Sequence, residues 1–146
     1  MIYFDTAYLA KCYLNEYGSD KVRALAEEHE QIACCAFGRL ELAAAFNRNF
    51  REGKITAGQH HVILRQLETD EASRLWNWLP LGWELIRKTA AMFSKLDAAI
   101  YLRTADALHL VCASENGFRE IYSNDKHLLA AGETANIDVK DVIGGR

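Results

Sequence analysis

TADALHLVCASENGFREIYSND, residues 104–125, decides the architecture. Its first part, TADALHLVCASENG, is almost wholly apolar and stops at Asn116-Gly117, the pattern of a largely buried helix. EIYSND then reads as a short strand running into a loop. A helix feeding a strand in this way is half of a strand–helix–strand unit, and the alternation recurs along the rest of the chain.

Upstream, MIYFD reads as a buried strand. Helical spacing starts at Thr6, with Leu9, Cys12 and Tyr13 on one side and Gly18 as a stop. Ser19 can cap a second helix whose Val22, Leu25, Ala26 and His29 share a face. QIACCA is a continuous apolar strand of the kind covered on both faces. FGRLELAAAFNRNFREG is a helix closed by Gly53, with Arg48 and Arg51 near its carboxyl end. Thr56 and Gln59 form a capping box for the next helix. WLPL suggests a third strand, and Pro80, which lacks a ladder donor, puts it at a sheet edge. Trp83–Phe93 is helical, and NIDVKDV downstream is a fifth strand. Strands alternating with helices imply an α/β layer structure: a mainly parallel sheet of about five strands with helices on both faces. Ligands bind such sheets beyond the carboxyl ends of the strands.

The chain of 146 residues fits one domain, 1–146, and its 50% hydrophobic content can bury a real core. No repeat, low-complexity stretch, basic leader or membrane-length apolar run is present, so the expectation is a soluble, cytoplasmic protein without membrane attachment. Cys12, Cys34, Cys35 and Cys112 lack zinc-site spacing and read as small core residues of a reducing compartment. A net charge of −3 argues against indiscriminate nucleic-acid binding. It leaves open binding through divalent cations held in an acidic pocket.

Four carboxylates can meet at one rim. Asp5 follows the first strand and Asp125 the fourth. Glu41 lies in the first turns of the helix after strand two, and Asp106 in the first turn of the helix leading to strand four. Two carboxylates about 4 Å apart repel by roughly 1 kcal/mol in water and about 4 kcal/mol at an effective dielectric near 20. Four together take up protons or hold metal, and carboxylate oxygens suit Mg²⁺ or Mn²⁺. On that reading Asp106→Asn relieves repulsion while removing a ligand. Each acid also has a plainer reading: Asp5 as a helix cap, Asp106 as a first-turn acid, Asp125 as turn chemistry. Glu41, within the apolar LELAAAF, needs a partner or a metal in either case.

MIYFDTAYLAK, RLELAAAF, LRTADALHLVCA and IYSNDKHLLAAG, in this order and spacing, resemble the PIN-domain ribonucleases, in particular the VapC-type toxins of bacterial toxin–antitoxin pairs. The last two segments are the specific ones. The resemblance covers essentially the whole chain. It implies a PIN-like three-layer sandwich with strand order 3-2-1-4-5. It also implies RNA hydrolysis with Mg²⁺ or Mn²⁺ at Asp5, Glu41, Asp106 and Asp125. The implied partners are RNA, a cognate antitoxin that sends a basic side chain toward the acids, and a second copy of the chain. Cys34-Cys35 departs from the Ser or Thr common in relatives near the end of strand two.

Thr6 and Asn124 flank two of the acids and can orient a ligand or a water; local capping explains them equally well. Arg48 and Lys126 are candidates for RNA phosphates, or plain solvated cations. His109, three residues after Asp106, reads first as a core or interface histidine. Three other functions compete. A phosphatase on a similar sheet calls for a DxD pattern, and Asp5 is followed by Thr6 and Ala7. A receiver-like signalling module calls for paired acids after strand one. A binding-only PIN domain would not cleave RNA.

Overall fold

The computed structural model describes residues 1–144. In chain order the elements are β1 (Ile2–Tyr3), α1 (Thr6–Lys11), α2 (Ser19–Glu27), β2 (Ile32–Cys35), α3 (Ala36–Arg51), α4 (Ala57–Ala72) and β3 (Trp76–Leu79). They continue with α5 (Trp83–Ser94), α6 (Thr104–Glu115), β4 (Glu120–Tyr122), α7 (Lys126–Ala131), a short 3₁₀ turn (Gly132–Ala135) and β5 (Asp138–Lys140). β3 stops one residue before Pro80, which has no N–H to extend the ladder. The capping box expected at Thr56 and Gln59 is formed in full.

All the strand pairs are parallel. β2 lies between β1 and β3, with Ile2 opposite Ile32 and Cys35 opposite Leu79. β4 pairs with β5. The expected five-stranded sheet is thus built as two ladders, and among the described residues their backbones are joined by one Phe4–Tyr122 bridge with an Asp5 N–H to Tyr122 C=O bond of 3.1 Å. The reason is local: the chain leaves the strand at Asp5, whose side chain starts α1, so β1 is too short to form a ladder on both edges.

Alternating strand residues divide the interior into two layers. Tyr3, Ala33, Cys35 and Ile121 face α5, α6 and α7, where they pack with Leu85, Leu110 and Leu128. Phe4, Ile32, Cys34 and Trp76 face α1 to α4, where they pack with Leu9, Leu42, Phe46 and Leu67. Each fully buried side chain of this size contributes about 1.5–3 kcal/mol of transfer free energy. The adjacent Cys34 and Cys35 enter opposite layers, as neighbours on a strand must, and the four cysteines are free thiols. No described helix is long and apolar enough to cross a membrane.

Candidate functional site

Two helices start on acids that end strands, and this sets the site. Asp5 is the N-cap of α1, where its Oδ1 accepts the Tyr8 N–H at 2.9 Å. Asp125 is the N-cap of α7, where its Oδ1 accepts the N–H groups of His127 and Leu128. The capping reading of Asp5 therefore holds, Asp125 is a helix cap where a turn residue was expected, and capping uses one oxygen of each carboxylate. The other oxygen of each is turned to different partners: Asp5 Oδ2 to Ser123, Asp125 Oδ2 to Arg103. Ser123 is fully buried and joins the two acids, donating to Asp5 while its Oγ accepts the Asp125 N–H at 3.0 Å.

Glu41 and Asp106 complete the group. All four acids line one cavity of about 550 Å³, together with Thr6 and Arg48. Arg103 clasps Asp106, with Nε to Oδ2 at 2.8 Å and Nη2 to Oδ1 at 3.3 Å, and also reaches Asp125. Glu41 has the partners that its apolar setting demands: Thr6 Oγ1 donates to it at 2.7 Å, and His109 Nε2 lies 3.1 Å away. On the far side of the imidazole, Nδ1 is 2.8 Å from the Tyr3 hydroxyl, which in turn accepts the Cys35 N–H at 3.1 Å. Gly38 makes room for this network. A Cβ there would come within 2.5 Å of Cys34 Sγ and 3.2 Å of Thr6 Oγ1.

Burial raises the Asp5 carboxyl to about 6, against the opposing pull of His109 and of the hydrogen bonds from Ser123 and Tyr8. Glu41 moves the other way. Burial raises it as well, but the His109 hydrogen bond and charge, together with Thr6, outweigh burial and lower it. Of the remaining sequence candidates, Arg48 is exposed on the cavity wall. Asn124 is half-buried, Lys126 is exposed, and neither forms part of that wall.

The PIN domain family matches residues 2–133. The chain belongs to the PIN-domain family. Its members are typically nucleases that use divalent metal ions. A solved structure described as FitAcB from Neisseria gonorrhoeae shares the PIN fold of this chain. The TM-score is 0.73 at 17% identity, and the match covers 95% of this chain and 96% of that one. No curated protein matches the chain.

The donor set of this PIN domain suits a hard divalent cation by its chemistry, since every candidate ligand is a carboxylate. As the side chains stand, no three His, Cys, Asp or Glu among the described residues form a metal-holding group. Both oxygens of Asp106 and Oδ2 of Asp125 are engaged by the Arg103 guanidinium. The Arg103 side chain is 50% exposed, so it has room to turn away from those oxygens.

Arg103, Ser123 and Tyr3 escape a reading of the sequence. Arg103 carries a signal, since a basic residue three before an acid at a helix start shares its face. Ser123 stands in the SND segment. Nothing in the sequence marks Tyr3, whose role depends on the β1–α6 packing.

Proposed function

We propose that the chain is a metal-dependent endoribonuclease, the toxin of a type II toxin–antitoxin pair. Asp5, Glu41, Asp106 and Asp125 would hold Mg²⁺ or Mn²⁺. The observation that carries this reading is the convergence of four carboxylates from four separate elements on one cavity. In the ion-free chain Arg103 offsets part of that charge, and the all-carboxylate donor set together with the family supports a divalent cation as the group it stands in for. A bound ion would polarise the phosphodiester and lower the pKa of an attacking water.

The protein's own residues orient and neutralise. Ser123 and the α1 amide fix Asp5, and His109 and Thr6 fix Glu41, so two ligands are held before any ion arrives. Arg103 offsets the charge of Asp106 and Asp125 and would turn away from them when an ion takes their oxygens. Thr6 is already part of the site, while Asn124 and Lys126 are kept for contacts at its rim. The proposed partners are RNA, a cognate antitoxin whose basic side chain competes for the same acids, and a second copy of the chain. A binding-only PIN domain is disfavoured because all four acids are present, and a phosphatase or receiver because Asp5 stands alone after β1.

The test is cleavage of RNA by purified protein with Mg²⁺ or Mn²⁺, before and after EDTA. Cleavage that requires the divalent ion and is lost in a folded Asp106→Asn protein supports the reading. Cleavage that persists in EDTA, or in that variant, overturns it.

A further inference from the structure

Lys11 is the last residue of α1, the helix that Asp5 caps, and it is only 8% exposed. It lines the same cavity as the four acids. Among the described residues it has no hydrogen-bond or ion-pair partner. Among the described residues no fully buried side-chain nitrogen or oxygen lacks a partner, so the unpaired Nζ of Lys11 must keep some exposure. Lys11 is thus a buried lysine on the cavity lining whose unpaired Nζ keeps some exposure, the pattern of an aliphatic stem packed below a solvated head.

The acids do not claim that charge. Asp106 and Asp125 are held by Arg103, Glu41 by Thr6 and His109, and Asp5 by Ser123 and the Tyr8 amide. A lysine on the surface must be ordered before it can bind a ligand, whereas here the packing has already fixed the stem. The exposed Arg48 lies on the same wall and extends the positive track.

We propose that Lys11 is a phosphate-binding subsite, holding a phosphodiester of the RNA adjacent to the one engaged at the carboxylates. The proposal rests on the ribonuclease reading. A single-stranded RNA is anionic at every nucleotide, so a fixed ammonium beside the acids sets where the chain lies relative to them.

The test compares wild type with Lys11→Met, which keeps the buried stem, and with Lys11→Arg, which keeps the charge. Lys11→Gln stands in if the Met variant does not fold. Binding of a short single-stranded RNA is measured by anisotropy in EDTA, and cleavage with Mn²⁺, both over a KCl series. Mn²⁺ affinity is measured without RNA. Loss of one phosphate contact should make the slope of log K against log[salt] shallower by about one. It should raise KM about tenfold, the scale of one charge-assisted bond, with kcat largely retained and the Arg variant close to wild type. A variant with an unchanged salt slope but tighter Mn²⁺ binding would make Lys11 a counter-ion of the acids and overturn the proposal, with the nuclease reading intact. An unchanged slope and unchanged Mn²⁺ affinity would overturn it equally. Wild-type protein that neither binds nor cleaves RNA would remove the nuclease reading, and this one with it.

Discussion

Arg103 and Asp106 form a two-point clasp, Nε to Oδ2 and Nη2 to Oδ1, and the same guanidinium reaches Asp125. The repulsion that sequence suggests between these acids is therefore offset within the chain. Relief of repulsion by Asp106→Asn should appear only when Arg103 is also removed. In EDTA, Asp106→Asn alone should cost up to about 1 kcal/mol, the scale of a partly exposed pair. In an Arg103→Ala background it should be neutral or stabilising. A double-mutant cycle by urea denaturation measures this, and simple additivity would refute the clasp. Mn²⁺ should also bind Arg103→Ala more tightly than wild type.

Asp5 makes stability depend on pH. Its folded-state carboxyl, raised to about 6 from 3.8, prefers the neutral form. The favourable state is complete below the unfolded value and is lost as pH rises toward 6. A carboxyl displaced that far destabilises the ion-free protein by about 3 kcal/mol at neutral pH. Asp5→Asn keeps the cap at Tyr8, so in EDTA it should be more stable than wild type above pH 6. The gain should shrink between pH 6 and 4 and vanish below. Denaturation midpoints across that range test it, and a gain that grows on acidification would contradict the assignment.

His109 should matter through Glu41 rather than by itself. His109→Ala leaves the half-buried Glu41 and the buried Tyr3 hydroxyl short of a partner, at a cost of about 1–3 kcal/mol. His109→Gln, which can still donate toward Glu41, should recover part of the stability and of the Mn²⁺ affinity. Equal Mn²⁺ affinity in wild type, Ala and Gln proteins would show that the imidazole does not orient that carboxylate.

Gly38 tests how closely α3 must approach. Its φ is ordinary, so the constraint is space alone. Gly38→Ala gains helix propensity but pushes a methyl into Cys34 Sγ, and a net loss of about 1–3 kcal/mol is expected. Adding Cys34→Ala should restore most of it. A Gly38→Ala protein as stable as wild type would show that α3 can shift without strain.

The acids are legible in the sequence because chain order alone places strand ends at one rim of a parallel sheet. Asp5 and Asp125 can be located from the two strands they terminate, and Asp106 from the helix before β4. Their neutralisation is not legible. Arg103 reaches Asp125 across 22 residues and His109 meets Glu41 across 68, and such pairings exist only once the layers are packed. His109 reads as a core residue for a sound reason, being 3% exposed, but burial and a site role coincide there. Pro80 shows where β3 must end. Nothing in MIYFD shows that β1 gives up its last residues to start α1.

That early exit of the chain at Asp5 has a mechanical consequence. Between β1 and β4 the backbone is joined at little more than one bridge, so the molecule has a seam, and the acids straddle it. Asp5 belongs to one ladder and Asp125 to the other, stitched by the Ser123 hydroxyl. Any cation or ligand that grips both carboxylates is a staple across the weakest line of the sheet. Occupancy of the site and cohesion of the two halves are then the same event, read from opposite sides.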